Sequence, residues 1–177
     1  MRKVLWLSSI FLLVESIYTH PFDQIRNDSS CKYLIKSNTI EFILKFPVHS
    51  YVNLWVSTRV EFDTYMENIF SSIEKSKIRN YVYKHLYAFN GKQKLEIVLK
   101  NLIFIKSDFS IRNEPEFITI KGIFIHKSKI IDLYLFNDLF KESKKNHFGT
   151  AEIEYKGKVF DFEFRKNKYF HLNLDKY

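Results

Sequence analysis

The stretch Thr150–Phe164 constrains the fold most, because it specifies both a β-hairpin and its register. Lys156 and Gly157 separate two runs of alternating residues, and glycine readily takes the positive φ that a two-residue hairpin turn requires. A two-residue loop fixes which residues face each other. The predicted pairs on one face are Tyr155 with Lys158, Ile153 with Phe160, and Ala151 with Phe162. The predicted acidic, solvated face carries Glu152, Glu154, Asp161 and Glu163.

Alternation of apolar and polar residues predicts further strands on both sides of this hairpin. The predicted strands are 39–46, 50–56, 94–105, 116–126, 130–136 and 169–174. Gly122, inside one of them, predicts a bulge or a tight backbone contact. The hairpin and residues 169–174 together predict a three-stranded meander at the end of the chain.

A change of period marks residues 58–90 as helical. Thr58 and Glu61 fit a capping box at a helix start. The three-four spacing of an amphipathic helix follows in Phe62, Met66, Ile69 and Ile73. We expect a bend near Ser76 and a stop at Asn90-Gly91. These residues form one bent helix or two consecutive ones, and we expect the apolar face of the hairpin to pack on their stripe.

The order of these elements predicts an α+β fold. We expect an antiparallel sheet of about six to eight strands, curved or forming a half-barrel, with the helices of 58–90 on one face. A closed barrel is the alternative. The chain has 177 residues, and a length of this order suits a single domain, which we place at 39–177 after an extended lead-in over 20–38.

The start of the chain is typical of a secretory signal peptide. Arg2 and Lys3 precede an apolar run over 4–14, which is too short to span a membrane. We predict a signal over 1–19, with an uncleaved anchor as the alternative, and a protein that is secreted or held in a secretory organelle. Asn27 begins a candidate glycosylation sequon. Cys31 is the single cysteine, either a buried thiol or one that forms an intermolecular disulfide.

A formal net charge of +8 favours acidic partners such as an anionic glycan, a lipid surface or an acidic protein. The densest basic patch is a candidate anion-binding site and consists of Lys141, Lys144, Lys145 and His147. Dispersed lysines that only solvate the surface are the simpler interpretation. A secretory signal disfavours nucleic acid as the partner.

No motif in the sequence identifies a reaction, a metal site or a cofactor. The six histidines form no zinc or HExxH pattern, so we predict no catalytic residues, metal ligands or cofactors. In composition the chain resembles secreted proteins of intracellular eukaryotic parasites, which assigns no role to any residue. The leading hypothesis is a secreted, non-enzymatic binding protein. The alternatives are a carrier of a small apolar ligand, held in a cavity between sheet and helices, and a secreted hydrolase.

Overall fold

The computed structural model describes residues 29–106, 115–142, 148–165 and 168–177. The strands are β1 (Ser29–Ile35), β2 (Thr39–Pro47), β3 (Leu86–Asn90), β4 (Gln93–Lys94), β5 (Glu96–Lys106), β6 (Pro115–Ile125), β7 (Asp132–Asn137), β8 (Gly149–Tyr155), β9 (Lys158–Phe164) and β10 (Phe170–Asn173). The helices are α1 (Val48–Val52), α2 (Arg59–Asn68) and α3 (Ser72–His85). The predicted α+β class is confirmed.

The strands form two sheets, and the prediction of one antiparallel sheet is wrong. The larger sheet has the order β5-β6-β2-β1-β8-β9, and the smaller has the order β10-β7-β3-β4. β1 and β8 are parallel, whereas the neighbouring strands elsewhere in both sheets are antiparallel. The larger sheet ends in the two different strands β5 and β9, so it does not close into a barrel.

One face of each sheet is buried in a shared core, to which the helices also contribute. Side chains alternate between buried and exposed along β1, β6 and β8, as expected for a sheet with one solvated face. Phe170 of β10 contacts the rings of Phe160 and Phe162 of β9, at centroid distances of 6.2 and 5.6 Å. Asn137 of β7 donates from Nδ2 to Ser29 Oγ of β1 at 3.0 Å.

The hairpin and its register are confirmed. The three predicted cross-strand pairs of β8 and β9 are present, and Lys156 and Gly157 both have positive φ, 50° and 74°, as a type I′ turn requires. The predicted meander is wrong, because β10 pairs with β7 and β8 pairs with β1 on its second side. The apolar face of the hairpin therefore meets Phe170 of the smaller sheet, while Ile73 of the predicted helical stripe is 68% exposed.

Two segments that were assigned from local patterns have a different structure. Residues 29–35 of the predicted lead-in form β1, where Cys31, Tyr33 and Ile35 point into the core. The predicted strand 50–56 is wrong, because helix α1 and a following turn occupy this region. Helical spacing of the buried Val48, Tyr51 and Val52 accounts for the helix.

The helical region 58–90 is shorter than predicted and breaks earlier. The capping box is confirmed: Glu61 N donates to Thr58 Oγ1, and Thr58 N donates to Glu61 Oε2. The break lies at 69–71, where Ser71 caps α3 by accepting from Glu74 N at 3.2 Å. α3 ends at His85, and residues 86–90 form β3.

Gly122 makes the predicted tight contact. A Cβ atom at this position would lie 2.3 Å from Cζ of Phe42 on the adjacent strand β2. A register shift occurs directly opposite, between Leu99 and Asn101 of β5. The absence of a side chain at Gly122 thus lets the Phe42 ring lie flat over β6.

Candidate functional site

The outer surface of the smaller sheet carries an unbroken layer of rings, which we call the aromatic face. It consists of Tyr87, Phe89, Tyr134, Phe136, Tyr169 and His171. Strand alternation produces this face, because the residues between these rings point into the core. Those buried residues include Leu86, Ala88, Leu133, Leu135, Phe170 and Leu172.

The register of the sheet brings these rings into contact in cross-strand pairs. Tyr87 lies opposite Phe136, and Tyr134 lies opposite His171. The first pair is stacked with centroids 4.8 Å apart and the second with centroids 4.3 Å apart. Tyr169 joins the pairs, with its centroid 5.2 Å from Phe136 and 5.7 Å from Tyr134. Contact between rings holds the layer in a fixed arrangement.

Polar groups border this layer and form hydrogen bonds with its side chains. His171 Nε2 lies 2.7 Å from Asp132 Oδ1, and Tyr87 donates from its hydroxyl to Asp138 Oδ2 at 2.9 Å. Burial, together with Asp138, raises the pKa of Tyr87 to about 12, and burial and Asp132 raise the pKa of Tyr134 above 10. Both tyrosines are therefore neutral hydrogen-bond donors at physiological pH. The aromatic face offers ring contacts and hydroxyl donors but carries little charge.

A second polar cluster lies at the end of α3. His85 is 3% exposed, and its Nε2 lies 3.0 Å from Glu142 Oε1. Tyr81 accepts a 2.6 Å hydrogen bond from Phe140 N, and its own hydroxyl lies 3.5 Å from Glu142 Oε2. Phe140 has a φ of 64°, a conformation that bulky residues rarely adopt. The cluster fixes the segment 138–142 against α3.

Burial of His85 predicts that acid weakens the fold. Burial lowers the pKa of His85 below 6.5, and the charges of Lys141 and Lys84 act in the same direction, against Glu142 and Asp138. The unfolded chain therefore takes up this proton at a higher pH than the folded chain does. Stability should be lost as pH falls from about 6.5 towards the lowered folded pKa. Urea unfolding at a series of pH values measures the slope.

The variant His85→Gln should show a shallower decline of unfolding free energy over the same pH range. The matched control is His171→Gln, since His171 is an exposed histidine beside a carboxylate. Equal slopes for wild type and His85→Gln would contradict the assignment.

Of the four residues in the predicted anion-binding patch, the structure describes only Lys141. This lysine pairs with Asp138 at 2.8 Å, and that hydrogen bond raises its pKa above 10.5. Lys144, Lys145 and His147 lie outside the described residues, as do the candidate glycosylation site Asn27 and the predicted signal 1–19. Cys31 points into the core, where burial raises its pKa to about 12. A disulfide to another chain would require this sulfur to become exposed.

The acidic face of the hairpin is solvated as predicted. Glu152, Glu154, Asp161 and Glu163 are all exposed, and Lys32 of β1 pairs with Glu152 at 3.1 Å. A shallow trough of about 540 Å³ crosses this surface between β1, β8 and β9. Its carboxylates and hydroxyls suit contact with a basic group.

The described residues contain no group of three or more histidine, cysteine or acidic side chains that could hold a metal ion. Within these residues His126 lies next to a hydroxyl group, with its Nδ1 3.0 Å from Ser128 Oγ. The other groups at this nitrogen are the backbone of Ser128 and the amide of Asn90. This arrangement closes a turn and provides no carboxylate to orient the histidine, as a catalytic triad would.

Scans of the chain against protein-family models and against curated proteins find no match. None of the helices within the described ranges is long and apolar enough to cross a membrane. Function is therefore inferred from the geometry of the residues themselves.

Sequence reasoning missed the aromatic face. It placed Tyr87 and Phe89 within the predicted helical region 58–90. A usable signal existed in the predicted strands 130–136 and 169–174, where large apolar or aromatic side chains occur on both faces. Tyr134 and Phe136 alternate with leucines, and Tyr169 and His171 alternate with Phe170 and Leu172.

Proposed function

We propose that this is a secreted, non-enzymatic binding protein that contacts a partner protein through its aromatic face. The observation that supports this most directly is the continuous layer of six rings on the solvent side of a sheet. Tyrosine and phenylalanine are enriched where proteins bind one another, because they combine a large apolar area with few rotatable bonds. Because contact between the rings already restricts them in the free protein, binding costs less side-chain conformational entropy.

The charge of the surface favours a protein over a strongly anionic ligand at this site. Asp132 is paired with His171, and Lys94 lies with its Nζ 5.5 Å from the ring centre of Tyr87. The face therefore has few cations to hold sulfate or phosphate groups. The net charge of +8 still supports a weaker, dispersed attraction to anionic glycan or lipid, which would bring the protein to a surface.

The two alternative functions receive less support from the described residues. A carrier needs a cavity, whereas the inner faces of both sheets are filled by side chains such as Phe42, Phe46 and Phe164. A hydrolase needs a nucleophile, a histidine and a carboxylate within hydrogen-bonding distance. The pair of buried His85 and exposed Glu142 has Tyr81 as its neighbour, and burial raises the pKa of this tyrosine, which keeps it protonated.

Site-specific photo-cross-linking in the cells that secrete the protein tests this function. A photoreactive phenylalanine analogue at Tyr169, which is 48% exposed, should give one discrete adduct with a partner protein. The same analogue at Trp55, 58% exposed in the turn after α1, is the matched control and should give none. The additional substitution Phe136→Ser should remove the adduct, since it interrupts the ring layer.

An adduct at Trp55 equal to that at Tyr169, or no adduct at either position, would contradict the proposed surface. Heparin chromatography tests the dispersed attraction to anionic glycan separately from the contact with a partner protein. Retention that is lost at moderate salt and unchanged by Phe136→Ser would place glycan contact elsewhere on the molecule.

A further inference from the structure

The larger sheet ends at two strands whose outer edges differ. The edge of β5 is covered by helix α3: Arg79 donates from Nη1 to Leu99 O at 3.1 Å and from Nη2 to Lys100 O at 3.3 Å. Tyr83 accepts from Leu99 N through its hydroxyl oxygen at 3.5 Å. At the opposite end of the sheet, β9 pairs with β8 alone among the described strands. The second edge of β9 is therefore open.

The hairpin turn determines which backbone groups of β9 face this open edge. A two-residue turn is flanked by a pair that exchanges both backbone hydrogen bonds, here Tyr155 and Lys158. Along an antiparallel ladder, hydrogen-bonded pairs alternate with pairs that have no hydrogen bonds. On β9 the pairs without hydrogen bonds are those of Val159, Asp161 and Glu163. Their N–H and C=O groups point away from β8 and form a row that a further strand can use.

The side chains of the same three residues give this edge its chemistry. They lie on the outer face of the sheet, where Val159 is 58% exposed and the two carboxylates are exposed as well. Glu163 is paired with Arg165. Asp161 and its diagonal neighbour on β8, Glu154, have no cationic partner in the described part of the chain. The edge therefore carries negative charge that the protein itself does not neutralise.

We propose that this edge of β9, which we call the acidic edge, binds an extended basic segment of a partner protein as an additional antiparallel strand. A residue of the segment that stands opposite Asp161 has its side chain on the same face, so lysine or arginine there pairs with this carboxylate. The alternate residues of the segment lie beside Phe160 and Phe162, which are half-buried. The acidic edge thus selects a segment in which basic and apolar residues alternate.

A second copy of the chain fits the acidic edge less well. The register that pairs the whole of β9 with β9 of another copy puts Asp161 opposite Asp161, and like charges directly opposite each other are destabilising. Pairing of β9 with β5 of another copy is blocked at Leu99 and Lys100, whose carbonyl oxygens accept from Arg79. Charge and access therefore both favour a basic segment from a different protein.

The acidic edge is additional to the proposed function, because none of the rings of the aromatic face lies on β9. The two sites can therefore be tested separately. The probe for the acidic edge is a capped eight-residue peptide of alternating lysine and valine. Its binding to the full chain should be unchanged by Phe136→Ser, which interrupts the aromatic face. Failure of this proposal is thus distinguishable from failure of the proposed function.

Amide hydrogen exchange followed by NMR tests where the peptide binds. In the free protein, the amides of Val159, Asp161 and Glu163 should exchange rapidly, and those of Phe160 and Phe162 slowly. Peptide at about ten times its Kd should slow exchange at the first three amides by about tenfold, because exchange then requires the free state. If these amides become protected without peptide as the protein concentration rises, a second copy occupies the edge and the proposal is overturned.

Charge variants test the chemistry of the ligand. Asp161→Lys should raise the Kd of the lysine–valine peptide by about tenfold, because like charges then lie opposite each other. The matched control Glu96→Lys makes the same change of charge on the exposed end of β5 and should leave Kd unchanged. A peptide of alternating glutamate and valine should bind at least about tenfold more weakly than the basic one. Equal binding of the two peptides would overturn the proposal.

Methylation of the peptide backbone tests the mode of binding. In an antiparallel addition the lysines lie opposite Asp161 and donate their N–H groups to β9, while the valine N–H groups point to solvent. Methyl groups on the lysine nitrogens should therefore abolish binding, and methyl groups on the valine nitrogens should leave it intact. Equal effects of the two modifications, or no binding of the unmodified peptide, would contradict strand addition.

Discussion

Phe140→Ala is expected to lower the free energy of unfolding by about 4 kcal/mol, in the range measured for buried phenylalanines. The side chain is fully buried and contacts the rings of Phe46 and Tyr81, at centroid distances of 5.6 and 5.9 Å. Its removal leaves a cavity where β2, α3 and the segment 138–142 meet. Urea unfolding followed by tryptophan fluorescence or circular dichroism measures the change at constant m-value.

The backbone at Phe140 provides an internal control. Its φ of 64° is costly for alanine but not for glycine. Phe140→Gly should therefore be more stable than Phe140→Ala by about 1 kcal/mol, although glycine is usually the worse substitution. Equal stability of the two variants would show that this conformation is not maintained in solution.

Gly122→Ala is expected to lower the free energy of unfolding by about 3 kcal/mol, because it overpacks the core. The added methyl group would lie 2.3 Å from Cζ of Phe42. This ring cannot move aside easily, because it is 2% exposed and packs against Phe124 at a centroid distance of 5.0 Å. Chemical denaturation of the single variant gives the size of the effect.

Phe42→Leu supplies the matched background for this substitution. Leucine removes the ring edge that would collide, at a cost of its own of about 1 kcal/mol. Gly122→Ala should then cost far less than in the wild type, which gives a coupling energy of at least about 1 kcal/mol in a double-mutant cycle. Additive effects would mean that the two residues do not meet.

Local patterns predicted those parts of the fold that local interactions determine. The hairpin β8–β9 was predicted to the residue, because its turn and its alternation agree. The capping box of α2 was predicted because it depends only on Thr58 and Glu61, three residues apart. The segment 50–56 shows the limit, since Tyr51, Asn53 and Trp55 alternate with apolar residues as a strand would, yet Val48, Tyr51 and Val52 are buried together in a helix.

The arrangement of strands depended on contacts that no local pattern carries. β1 was overlooked because it follows a polar stretch, and without it the parallel neighbour of β8 could not be predicted. The same omission hid the division into two sheets. The acidic face of the hairpin was predicted correctly, but the aromatic face was not. An aromatic residue on a strand can belong to the core or to the surface, and the sequence does not show which face of the sheet is covered by other elements.

The parallel pairing of β1 with β8 has a consequence for the order in which the protein forms during synthesis. Lys32 and Glu152, which are neighbours in the sheet, are 120 residues apart in the chain. Contacts of such long range slow folding. While the ribosome is still making the middle of the chain, one hydrogen-bonding edge of β1 has no strand to pair with. Unpaired edges of this kind recruit other chains. The nascent protein is therefore most vulnerable to aggregation until β8 has been synthesised, which makes pairing of the β8–β9 hairpin with β1 the step that completes the larger sheet.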